Sequence, residues 1–189
     1  MKNITIQTGV ARLSYAHIFE PRPNQDDPNK LKYTASIIIP KSDTKTLKRF
    51  QDAIAKLRSD PEARGIWGGT DRGVHEPLRD GDTDETKAKD PTYQNAYFCN
   101  ASSTKKPKVF NKDRTEVMDP EDVYSGCYCQ FMLNLFCYNH AGKKGIGVGL
   151  NAIRKIKDGE PLSGIVVTGD SWDDDLIDEK DLKDAEEFL

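Results

Sequence analysis

No stretch of the chain approaches the roughly 20 apolar residues that span a bilayer. Its first residues, MKNITIQTG, lack the apolar core of a secretion signal, so an intracellular protein is expected. Histidine is scarce, and His17, His75 and His140 are scattered. The four cysteines, Cys99, Cys127, Cys129 and Cys137, include a C-x-C pair but no C-x₂₋₄-C knuckle. Neither a zinc site nor, in a reducing compartment, a disulfide framework is expected. No serine sits in a G-x-S-x-G context. Asp173, Asp174 and Asp175 lie in a charge run at the chain end, whereas a two-metal nuclease needs rigidly held carboxylates. The chain therefore reads as a non-enzyme with no cofactor.

What the chain does have is a strong charge asymmetry. Residues 170–189, DSWDDDLIDEKDLKDAEEFL, hold ten acidic side chains against two lysines and end on the apolar pair Phe188-Leu189. The whole chain carries −3, so residues 1–169 are left with a net charge of +5. The organisation expected is one domain over 1–169 and a disordered acidic tail over 170–189. A mildly basic body beside an anionic, aromatic-tipped tail points to a protein that binds a polyanion and carries its own competitor.

Within the body, strands dominate. Residues 3–19 read as one curved strand with a bend at Gly9. A Pro- and Asp-rich loop at 20–30 leads to a second strand, LKYTASIII at 31–39, which places Tyr33, Ala35, Ile37 and Ile39 on one face. Ser42 or Asp43 then caps a helix whose stripe is Leu47, Phe50, Ile54 and Leu57, ending near Asp60-Pro61. The Gly-, Pro- and Asp-rich segment 60–92 is a long functional or mobile loop, in which Trp67 either stacks on a base or, the preferred reading, covers one end of the core. Strands follow at 95–103 and in PKVF, with lysines 105, 106 and 108 between and within them.

The strongest strand is CYCQFMLNLFCY at 127–138. Its odd positions, from Cys127 to Cys137, are all apolar and belong to the core. Its even positions, Tyr128, Gln130, Met132, Asn134, Phe136 and Tyr138, form an unusually aromatic second face, suited to stacking flat ligands unless another element covers it. In the last strand, GIGVGLNAIRKI at 145–156, Gly145, Gly147 and Gly149 alternate with core residues. No helix follows, so this is not a nucleotide loop but a strand whose bare face permits close backbone approach, either for barrel closure or for a ligand. Two strands, a helix and three further strands fit a small closed barrel of the oligonucleotide-binding (OB) type.

Several segments also fall in a familiar order: RLSYAHIFEP at 12–21, YTASIIIPK at 33–41, PLRDGDTD at 77–84, YFCNASS at 97–103, PKVFNKD at 107–113, YSGCYCQFMLNLFCYN at 124–139 and the SWDDD of the tail. In this the chain resembles the tailed-phage replication single-stranded-DNA-binding proteins, OB-fold proteins with an acidic, aromatic-ended tail. The resemblance implies sequence-independent binding of single-stranded DNA in replication and recombination. It assigns base stacking to Phe136 and Tyr138, with Tyr128 on the same register. Arg12, Lys32, Lys105, Lys106, Lys108, Lys143 and Lys144 are the candidate phosphate contacts. Trp172, Phe188 and Leu189 would recruit replication proteins (polymerase, helicase-primase), and a homodimer stays open. The alternative reading is an OB-fold adaptor or inhibitor whose aromatic face a protein partner covers.

Overall fold

The computed structural model describes residues 3–162. The expectations for the acidic tail, including Trp172, Phe188 and Leu189 and the boundary at 169/170, lie outside the described residues.

The strand expected over 3–19 breaks at Gly9 into β1 (Asn3–Gln7) and β2 (Ala11–Pro23). The break has a local cause. The Gly9 amide donates to Thr46 Oγ1 at 2.7 Å, and a Cβ at Gly9 would stand 2.6 Å from Asp43 Oδ2. The chain thus passes against a helix N-terminus where a side chain would collide. That helix, α1 (Thr44–Ser59), follows β3 (Leu31–Pro40) and is capped by Asp43, whose carboxylate accepts from the Thr46 amide at 3.1 Å. Phe50, Ala53, Ile54 and Leu57 face the core.

The loop expected over 60–92 is better ordered than its composition suggests. Asp60 ends α1 and caps a short second helix, α2 (Pro61–Ile66). Trp67, 2% exposed, then plugs one end of the core and donates Nε1 to the Gly145 carbonyl at 3.1 Å. A two-residue strand, β4 (Arg79–Asp80), pairs with β5 (Ala96–Ser103), and β6 (Lys108–Phe110) precedes the long hairpin of β7 (Tyr128–His140) and β8 (Lys143–Lys157). Ala141 and Gly142 both have positive φ, the two-residue turn that suits the twist of such a hairpin.

Five strands close a ring. β2 pairs with β3, β3 with β5, β5 with β8 in parallel, β8 with β7, and β7 with β2. The ring is closed thinly, by one residue pair at β5–β8 (Ser102↔Gly149) and two at β7–β2 (Ala11↔Cys129, Arg12↔Tyr128). β1 and β6 extend the sheet beyond the ring, β1 on β7 and β6 on β8. The expected OB-like architecture is present, with the main helix after the second ring strand, although the ring is not a uniform barrel. Leu13, Ile37, Cys99, Cys129, Leu133, Leu135 and Leu150 fill it from all five strands at 0–1% exposure.

Candidate nucleic-acid interface

The outer face of the β7–β8 hairpin explains the glycine run. Phe136 lies opposite Gly147, Tyr138 opposite Gly145 and Asn134 opposite Gly149. A Cβ at Gly147 would stand 2.5 Å from Phe136 Cζ, and one at Gly145 would stand 2.5 Å from the Tyr138 hydroxyl. The two rings therefore lie across the bare backbone of β8. Both stay partly exposed, while their odd-numbered neighbours Leu133 and Leu135 are sealed in the core. Glycine makes room for flat rings on the outside of a strand whose other face is packed.

A second concave surface adjoins this one. Thr34 and Ser36 of β3 face outward with Asn100 and Ser102 of β5, because Ala35, Ile37, Cys99 and Ala101 take the core register. They floor a groove of about 530 Å³, walled by Tyr15, Arg22, Lys32, Lys87 and the 23–26 turn. Tyr15 lies within the register shift of β2 between Ser14 and His17, sits at φ +45 and is 55% exposed. Such a bulge re-aims a side chain out of the sheet. Lys87 Nζ lies 4.3 Å from the Tyr15 ring centroid and donates to its hydroxyl at 3.1 Å. Burial opposes the charge on Lys87, but the Tyr15 hydroxyl with Tyr93 and Asp90 holds its pKa above the ordinary lysine value. His17, by contrast, is held below its ordinary value, first by burial and then by Arg22.

The two surfaces meet at the Ser102↔Gly149 pair, where Ser102 lines the groove and Asn134 lies over the bare backbone of Gly149. A polar, cation-walled groove thus runs into a pair of flat aromatic rings on one continuous outer face.

The residues picked from the sequence divide three ways. Phe136 and Tyr138 share this face with the exposed Lys143 at the hairpin turn, and Lys32 lines the groove. Lys105 and Lys106 are exposed in the loop after β5, with Lys106 Nζ 5.9 Å from the Phe19 ring. Three cations are already engaged. Lys144 donates to the carbonyls of Trp67 and Thr70 at 3.2 and 3.1 Å, and Lys108 pairs with Glu116 at 3.0 Å. Arg12 donates to the carbonyls of Gly126 and Glu160 at 3.2 and 2.8 Å. Tyr128 lies at that same far end, eight residues or about 26 Å from Phe136 along the strand.

Tyr15, Arg22, Lys87, Asn100 and Ser102 were not singled out by pattern. Tyr15 stands inside a segment already noted for resemblance, yet alternation carries no sign of a bulge. Lys87 reaches the groove from a segment with no periodicity.

Comparison with known proteins agrees with this architecture. The family described as Enterobacter phage Enc34, ssDNA-binding protein, matches residues 4–185. The single-stranded DNA-binding protein from bacteriophage Enc34 in complex with ssDNA superposes with a TM-score of 0.70 at 23% identity, over 84% of this chain and 89% of that one. Another structure of the Enc34 protein gives 0.67 at 24% identity, over 89% and 90%. The single-stranded DNA binding protein gp2.5 encoded by bacteriophage T7 gives 0.61 at 13% identity, over 94% and 96%. No curated protein matches the sequence. At these identities the structural likeness speaks for the fold, while the family match spans nearly the whole length. The chain belongs to the phage single-stranded-DNA-binding protein family represented by that of Enterobacter phage Enc34.

Proposed function

We propose that the protein binds single-stranded DNA without sequence preference and serves phage DNA replication and recombination. The observation that carries this reading is the continuity of an aromatic pair laid over glycines with a cation-walled groove. Every base has a face for Phe136 and Tyr138, and the phosphates that follow need Lys32, Lys143 and the exposed Lys105 and Lys106. Arg22 joins that set on the strength of its place in the groove wall, whereas Lys87 is held by the Tyr15 hydroxyl and ring. Counterion release makes the affinity salt-dependent.

The acidic residues of 170–189 act as a tethered competitor for the same cations, so DNA must displace them before it binds. Once displaced, Trp172, Phe188 and Leu189 are offered to replication enzymes such as a polymerase or helicase-primase. Deleting 170–189 is expected to tighten DNA binding, most at low salt, and to abolish recruitment. Weaker DNA binding at every salt concentration would make the tail part of the fold or of a dimer contact.

Titration of labelled oligo(dT), oligo(rU) and duplex at two salt concentrations tests the whole reading. Saturable, salt-reversible binding of oligo(dT) in preference to duplex is expected. No response to any of them would favour a protein partner for the aromatic face.

A further inference from the structure

The outer register of β7 does not stop at Phe136. It continues through Asn134 to Met132 and Gln130, while β8 alongside changes from glycine to Ala152 and Arg154. Together with Gln7 of β1 and with Phe110 and Arg114 of the β6 hairpin, these residues enclose a pocket of about 290 Å³. It begins at Met132, four residues or about 13 Å from Phe136.

The pocket has three kinds of wall. Phe110, Met132 and Ala152 are apolar, and Met132 is 38% exposed on a strand whose core face is sealed. Gln7 and Gln130 supply amides. Arg154 is held rigidly, donating Nε and Nη2 to the Lys112 carbonyl at 3.0 and 2.6 Å and Nη1 to Gln130 Oε1 at 3.3 Å. Arg114 is exposed in the 111–114 turn at φ +71, and its guanidinium makes no hydrogen bond or ion pair among the described residues. The neighbouring acids are occupied: Asp113 accepts from the Thr115 amide and hydroxyl at 3.0 and 2.6 Å, and Glu116 pairs with Lys108 at 3.0 Å. Asp113 keeps its negative charge, since its partners are neutral, so Lys112, Arg114 and Arg154 against that one carboxylate leave the rim net positive.

We infer that this pocket is a second base-binding position for single-stranded DNA, continuing the path that starts at Phe136 and Tyr138. Phe110 and the polarisable Met132 take the face of one base, the Gln7 and Gln130 amides meet its polar edge, and Arg114 meets the adjoining phosphate. The occupant follows from continuity: the same register of β7 forms both surfaces, and the rim carries cations not already paired. The inference rests on the proposed DNA binding.

The test compares short and long oligo(dT), about 4 and about 12 nucleotides, on the full chain, lengths within the range that OB folds bind. Two variants are used: Phe110→Ala, and Arg114→Asn, since asparagine tolerates the left-handed backbone there. Both are expected to weaken the long oligonucleotide fivefold to tenfold and the short one less than twofold. Arg114→Asn should also lower the slope of log affinity against log salt by about 0.7. Wild-type affinity for both lengths in both variants would overturn the inference. So would tighter binding in either, because the pocket would then hold the anionic tail. Wild-type protein that binds neither length would instead overturn the DNA-binding reading itself.

Discussion

The two ends of β7 carry the same sequence signal and do different things. At one end Tyr128 lies under Arg12 and Lys157, whose cations stand 5.3 and 4.6 Å from its ring centroid. At the other, Phe136 and Tyr138 lie over glycines beside the exposed Lys143. Both ends pair aromatics with cations on the outer register. The first end is closed by its own chain: Arg12 holds the Gly126 and Glu160 carbonyls, and the Leu162 amide donates to the Ser125 carbonyl at 2.9 Å. A Cβ at Gly126 would run into Glu160, and one at Gly159 into Gly126. An aromatic next to a cation is a site only where neither is already committed.

The largest effect expected is on DNA affinity at the open end. Replacing Phe136 and Tyr138 together by alanine should weaken oligo(dT) binding at least tenfold, at about 1–3 kcal/mol per stacked base. Tyr128→Ala should change it less than threefold in the same anisotropy titration. The melting temperature of the double variant should move little, since neither ring fills the core.

The glycines sharpen the contrast. Gly147→Ala places a Cβ in the space of the Phe136 ring, so binding should fall about tenfold, roughly the loss of one stacked base. Gly159→Ala sets its Cβ against the Gly126 carbonyl. It should lower thermal stability by about 1–3 kcal/mol, the cost of overpacking, and leave oligo(dT) affinity unchanged. If both variants altered the same property, the two ends would not be functionally distinct.

How much of this was legible beforehand depends on what alternation can report. Period two assigned Phe131, Leu133 and Leu135 to the core and Phe136 and Tyr138 to the outside, because a strand has only two faces. The Asp43 cap, the helix stripe and the close approach to Gly145, Gly147 and Gly149 were equally local, and so readable. The closed state of Arg12, Lys108 and Lys144 was not, because each is engaged by a carbonyl or carboxylate that the fold brings in. For Arg12 and Lys144 those partners come from segments over 70 residues away. The bend at Gly9 was readable, but its widening into a break between two strands and the bulge that turns Tyr15 outward were not, since neighbouring elements impose them.

Thiol chemistry gives a smaller readout of the same asymmetry. Burial pushes Cys99 and Cys129 up to about 12, leaving almost no thiolate near pH 8, whereas Cys137 at the open end is only half-buried. Alkylation followed by mass spectrometry should therefore modify Cys137 first, with Cys99 and Cys129 reacting only on unfolding. The smallest effect belongs to single cations. Lys32→Ala and Lys143→Ala should each reduce the salt slope by about 0.7, while Lys144→Ala should chiefly cost stability through the orphaned Trp67 and Thr70 carbonyls.

Ultraviolet crosslinking of oligo(dT) to the full chain, with the modified residues mapped by mass spectrometry, tests the central claim most directly. The account predicts crosslinks at Phe136 and Tyr138 on β7 and none at Tyr128. Crosslinks at Tyr128, with Phe136 and Tyr138 unmodified, would contradict it.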